Sequence, residues 1–331
     1  MPPICPNDFQ NQLDPPETIR LFSYIKDFVV LPIHLFGAYC ILKRTPNNMH
    51  SVKFTLLNFH FWNVMFDLLF AFSEPIPIFP MPAAVMNGIF TRIGIPSTIQ
   101  LLILVTSIDY VSVSTLMIFE NRFYLLNSKK KWWKRIRPFW MIVNFLLAPL
   151  HQIPNILEFP DQKYARELVI NNLPCVPEFL YTADLVLPSL NSPTIVINSI
   201  LFVSIIFGQL AIFANIIIAQ LYTNFGANTL SKTTRHLQKR LLKTLVLQTG
   251  IPVVSLVFPG IYAFFSIYTG HFDMGLNNLV ATVASLHGLV STLSIILIHQ
   301  PYRDTVLFWR KNKKSESKRW SIPVGSNLTN H

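Results

Sequence analysis

Two carboxylates lie inside long apolar runs of this chain, Asp67 in LNFHFWNVMFDLLF and Asp109 in LVTSIDYVSV. An ionisable side chain at the middle of a membrane helix costs about 2.5–3.5 kcal/mol on insertion scales, so such a residue signals a buried polar contact or a path for protons or ions. His60, Asn63 and Asp67 stand at i, i+3 and i+7, which is one helix face. Thr106, Asp109 and Ser112 form a similar face. At 1.5 Å per residue, Asp67 lies about 9 Å, Asn63 and His287 about 15 Å, and Asp109 and His60 about 20 Å below one end of their runs. Two polar layers are therefore expected, Asp67–Asn63–His287 and Asp109–His60. Whether they bind a ligand, carry ions or only fix packing stays open. His34, isolated on the first run, reads as a structural histidine.

The elements that position these groups are seven apolar runs, at about 21–42, 54–73, 95–119, 139–157, 194–222, 244–266 and 277–299. Each is long enough to cross a hydrocarbon core as a helix. Backbone groups in lipid must bond within their own segment, so the expected fold is an all-α, polytopic seven-transmembrane bundle. Composition agrees: 51% of residues are hydrophobic and only 13% charged, against about 25% charged in soluble domains. Of 27 lysines and arginines, 22 lie in the gaps at 43–53, 120–138 and 223–243 and in the tail from 300. That asymmetry places the N-terminus outside and the tail in the cytoplasm. A net charge of +11 is thus explained by loop charge and anionic inner-leaflet lipid, with no nucleic-acid partner.

The expected organisation is an extracellular segment 1–20, a seven-transmembrane domain 21–311 and a cytoplasmic, disordered tail 312–331. No cleavable leader is visible in 1–20, so the first helix serves as the insertion signal. The segment 158–193 is long enough to fold over the bundle mouth, with five prolines punctuating extended and turn structure. After Pro301, Tyr302, Val306 and Trp309 share a face of a short amphipathic helix suited to the inner membrane surface. Pro252 and Pro259 bend the sixth run, as a static kink or a pivot.

No constellation for catalysis is present: there is no Gly-rich phosphate loop, H-E-x-x-H, G-x-S-x-G or C-x-x-C. Neither a cofactor nor a metal is expected. Three cysteines are too few for a disulfide scaffold; Cys5 and Cys175 both fall on the outer side, where a disulfide could persist, and Cys40 lies in the first run. Glu120 and Arg122 sit where the third run meets its basic gap, placed to lock as an ion pair and release on a conformational change.

An acid-x-Arg at the inner end of the third of seven helices resembles the switch of rhodopsin-like G-protein-coupled receptors. GAYCILKRTPNNMHSVKFTLLNFHFWNVMFDL (37–68), FENRF (119–123), LPCVPEF (173–179), QKRLLKTLVLQTGIPVV (238–254) and IHQPYRD (298–304) together resemble the nematode chemosensory receptors of serpentine receptor class H. The resemblance implies a role for Glu120 and Arg122 in the third-helix switch, with Pro301, Tyr302 and Arg303 as the signature ending the seventh helix. It also implies an odorant or pheromone-like ligand, a heterotrimeric G protein, and a multi-pass plasma-membrane protein of sensory cilia. The cysteine usual at the top of the third helix is missing from 85–97, which favours a Cys5–Cys175 bridge instead. Ligand contact is expected at Asn63, Asp67, His287, Tyr262 and Phe264. The rival reading is a transporter or channel with Asp67 and Asp109 in an intramembrane ion path; the absence of an internal repeat weighs against it.

Overall fold

The computed structural model describes residues 4, 17–46, 49–127, 131–173, 175–176, 178–189, 192–226 and 232–307. Its long helices are α1 (Glu17–Lys43), α2 (His50–Ser73), α3 (Ser97–Leu126), α4 (Lys131–His151), α5 (Ser192–Gly226) and α6 (Lys232–Thr269). The seventh apolar run is two helices, α7 (Met274–Ser285) and α8 (His287–Ile298), separated at Leu286. Among the described residues six stretches are long and apolar enough to cross a bilayer, and Val253–Thr269 at the end of α6 is a shorter apolar one. This is the expected seven-helix bundle.

Burial is inverted relative to a soluble protein. Phe28, Leu35, Phe139, Leu146, Ile200, Val254, Ile261 and Leu297 are all exposed around the bundle, while His34, His60, Asn63, Asp67, Asp109 and Glu120 are buried inside it. A bundle whose outside is apolar all round has lipid for its solvent, and its polar groups must find partners within. α3 is the central helix, packed on α2, α4 and α5. Around its lower half lies the largest apolar cluster, including Ile41, Phe59, Leu116, Phe123, Phe213 and Tyr302. Trp62 of α2 stacks on Tyr110 of α3 with ring centroids 3.9 Å apart.

The end opposite the basic gaps carries structure that helical periodicity does not announce. β1 (Pro75–Pro77), β2 (Ala84–Met86) and β3 (Asp184–Val186) form an antiparallel sheet in that order. Prolines at 75, 77, 80 and 82 deny this segment a helix and leave strand pairing to satisfy its backbone. The fold is thus all-α in its bundle, with a small sheet on top. Segment 158–193, expected to be extended and turn structure, instead contains a helix, Gln162–Asn172. The Asp161 side chain caps it by accepting from the Lys163 and Tyr164 N–H groups at 2.8 and 3.4 Å, and Ala165 and Val169, one turn apart, are buried beneath it. Ile78, Val85, Val169, Leu173, Leu180 and Leu185 belong to the apolar cluster that glues helix and sheet into a lid. Arg166 ties the lid together by donating to the carbonyls of Leu180 and Ala183, and Asn277 of α7 donates to Phe79 O at 3.1 Å.

Beyond α8 the chain is helical again from 300 to 307. Tyr302 does not lie on a membrane-facing stripe with Val306, as its spacing suggests. It is fully buried, its hydroxyl 2.7 Å from Thr45 Oγ1, while Val306 is 38% exposed. Trp309, segment 1–20 up to Pro16 apart from Ile4, and the tail 312–331 lie outside the described residues.

Candidate functional site

Asp67 is built into a knot between α1, α2 and α8. Its Oδ2 lies 3.1 Å from His34 Nε2, and its Oδ1 accepts from the Gly288 N–H at 2.9 Å. The break at Leu286 creates that donor, because the first N–H groups of α8 have no carbonyl a turn earlier in the same helix. A carboxylate at a helix N-terminus also suits the helix dipole. Gly288 is required by the close approach: a Cβ there would collide with the Asp67 carboxyl and stand 2.6 Å from Asn63 O. Gly37 plays a similar part on α1, where a Cβ would stand 2.7 Å from the Thr292 methyl.

The partners of the histidines fix their hydrogens. His60 Nε2 is 3.1 Å from His34 O, a pure acceptor, so Nε2 carries the hydrogen. Neutral His60 then accepts at Nδ1 from the Thr292 hydroxyl at 3.3 Å, and Thr292 Oγ1 accepts from His34 Nδ1 at 2.8 Å. The His34–Asp67 contact thus gives the buried carboxylate a polar partner on another helix, as a group inside a bilayer core requires.

Asp109 makes a separate knot, on the opposite side of the bundle. Its Oδ2 accepts from Gln152 Nε2 at 2.6 Å and lies 3.1 Å from His151 Nδ1. Asn198 of α5 donates to His151 O at 2.8 Å, and His151 stacks on Phe202 with centroids 4.4 Å apart. The expected layers are therefore corrected. Asp109 pairs with His151 rather than His60, and Asp67 pairs with His34 rather than with the Asn63 or His287 side chain. Asn63 Nδ2 donates to Phe59 O within its own helix at 2.6 Å. Depth along each helix was a fair guide, but rotation about each axis decides the partner, and single-helix spacing does not carry it.

Between α3, α5, α6 and α8 lies a cavity of about 360 Å³. Its wall is apolar, with Val111, Ile206 and Leu210 among its lining, and its polar members are Ser112, Thr115 and His287. His287, the first residue after the break, is held by Ser255 of α6, with Nδ1 2.8 Å from Oγ, and meets the Phe66 ring edge-on at 5.7 Å. Of the five residues expected at a ligand, His287 lines this cavity. Tyr262 sits towards the lid, where its hydroxyl donates to Asp273 O at 3.3 Å. Phe264 is corrected outright: it is 66% exposed on the outside of α6, stacked on Tyr268. Its position nine residues after Ser255 turns it away from the bundle.

Residues 14–311, nearly the whole chain, match the family described as Serpentine type 7TM GPCR chemoreceptor Srh. This chain belongs to the serpentine receptor class H family. It is similar to Serpentine receptor class H-72 of Caenorhabditis elegans, with 28% identity over 313 residues, 91% of this chain and 88% of that protein. The family is one of seven-transmembrane chemoreceptors, membrane proteins rather than enzymes.

In this class H receptor the acid and the arginine at the end of α3 do not form a pair. Glu120 is fully buried and accepts from Trp133 Nε1 at 2.8 Å and from Arg137 Nε at 3.0 Å, both on α4. Arg137 also donates to Asn121 Oδ1 at 3.1 Å and lies 4.3 Å from the Tyr124 ring centroid. Residues two apart on a helix point about 200° away from each other, so Glu120 and Arg122 could not meet. Arg122 instead faces the end of α8. His299 has its pKa lowered to about 4, by burial first and then by the Arg122 charge, so its imidazole is neutral at pH 7. His299 packs against Tyr302 with centroids 5.5 Å apart, and burial raises the Tyr302 phenol above its usual range. Of the signature residues Pro301, Tyr302 and Arg303, Tyr302 is the one built into the bundle, through Thr45. Trp133 and Arg137 are the site residues that sequence reasoning missed; Arg137 falls in the basic gap at 120–138 and counts there only as loop charge.

Proposed function

We propose that this receptor takes an environmental small molecule, odorant or pheromone-like, into the cavity between α3, α5, α6 and α8 and signals to a heterotrimeric G protein at its basic end. The observation that carries the reading is the cavity itself, with His287 in its wall at the break of the seventh crossing. A ligand there touches four helices at once, so it favours whichever arrangement of them it fits better. A screen of small volatile compounds with a G-protein readout tests the ligand. With an agonist in hand, His287→Ala and Ser112→Phe are expected to shift the response about tenfold or more, a loss of about 1.4 kcal/mol, at equal surface expression. Phe264→Ala, outside the bundle, leaves it unmoved. Unshifted curves for both cavity variants remove this site.

In this reading the N-terminus and the lid face the exterior of the plasma membrane, in sensory cilia. A Cys5–Cys175 disulfide then ties the N-terminal segment to the lid. Cys5 lies outside the described residues, but Cys175 is disulfide-bonded, Cys40 is a free buried thiol, and Ile4 bridges Val176 in parallel. On intact cells an impermeant maleimide is expected to label the receptor only after mild reduction, and at Cys5 and Cys175. Labelling without reduction removes the bridge, and none after reduction reverses the orientation.

A further inference from the structure

The lid stands over the end of the bundle opposite the basic gaps, and none of its residues is among the described lining of the cavity. Ile78, Val85, Val169, Leu173 and Leu185 are buried in the lid, and its sheet and the Asn277–Phe79 bond fasten it over α7. The cavity reaches the surface elsewhere. Val203 and Phe207 of α5 and Val257 of α6 line it and are also 49%, 40% and 43% exposed on the side of the bundle. Their neighbours Ile200, Val254 and Ile261 are 58%, 67% and 64% exposed, so the opening lies in the apolar belt that faces lipid. The wall chemistry matches. Among the described lining residues none carries a fixed charge. The Ser112 and Thr115 hydroxyls donate to Ile108 O and Val111 O, at 3.1 and 2.9 Å, and present only lone pairs inward.

We infer that the ligand is an uncharged, lipophilic molecule that reaches the cavity from the lipid phase, through the gap between α5 and α6. This rests on the reading of the cavity as the ligand site. A charged solute would lose its hydration with no counter-charge to meet it, whereas an apolar one already concentrates in the bilayer at the height of the gap.

The test uses the full-length receptor in lipid nanodiscs and two photoreactive probes of equal length, an uncharged aliphatic diazirine and its carboxylate analogue. The uncharged probe is expected to label the α5 and α6 segments around 203–210 and 253–257 about tenfold more than the carboxylate, the discrimination an unpaired buried charge imposes. A Val203→Cys/Val257→Cys variant then has its two helices joined by a short bismaleimide. Joining before the probe is added should reduce cavity labelling to background, while joining after loading should trap the probe through washing. Equal labelling by the carboxylate overturns the ligand class, and undiminished labelling after joining overturns the route. Failure of both probes to label the cavity of the unmodified receptor would instead overturn the ligand-site reading beneath both.

Discussion

Glu120→Ala is expected to lower the stability of the purified receptor by about 3–5 kcal/mol, the usual result of breaking a buried ion pair from one side. The substitution leaves Arg137 and the Trp133 N–H without their acceptor in a site where Glu120 itself has no exposed surface. Thermal unfolding in detergent and surface expression read the loss, and Glu120→Gln should fall between the two because it keeps an acceptor but not the charge. Arg122→Ala should behave in the opposite way. Arg122 Nε has no hydrogen-bond partner among the described residues, and its removal is expected to cost less stability than that of Glu120 while abolishing G-protein signalling, with ligand binding retained. A Glu120→Ala receptor as stable as the wild type would refute the α4 clamp. An Arg122→Ala receptor that signals normally would refute the role given to the arginine.

Gly288→Ala carries the second large effect. Overpacking a close contact costs about 1–3 kcal/mol, and here one of the atoms in the way is the Asn63 backbone oxygen, which cannot rotate aside. The variant is expected to melt lower and to lose the Gly288 N–H bond to Asp67 as α8 is pushed off α2. Adding Asp67→Ala should relieve only the side-chain part of the clash, so the double variant stays impaired. Full recovery in the double variant would mean that the backbone contact with Asn63 is not limiting.

The seven crossings were legible because a bilayer imposes a length and a polarity that no other environment demands together. The lid helix was legible in principle, through Asp161 before Gln162–Asn172 and the Ala165/Val169 spacing, but its bracketing prolines read more loudly as a loop. The sheet was not legible, since three-residue strands carry no periodicity. Asp67 and Asp109 were recognisable as buried from sequence alone. Their partners were not, because His34 and His151 sit on other helices and meet them only through helix rotation, packing at glycines and the turn after Pro149. The Glu120–Arg122 lock failed on simple geometry, since two residues of helix cannot bring two side chains together.

The break at Leu286 divides the seventh crossing between two masters. α7 answers to the lid through Asn277, and α8 answers to α1 and α2 through Gly288 and Thr292 and ends beside His299, which packs on Tyr302 and faces Arg122. The backbone ladder slips at the joint, where Leu286 N donates to Val283 O, so tilting one half need not bend the other as a continuous rod would. His287 stands at this swivel and on the cavity wall. A molecule lodged against it, as proposed above, would push at the fulcrum of a lever whose long arm is α8 and whose tip lies beside Arg122, eleven residues and about 17 Å away.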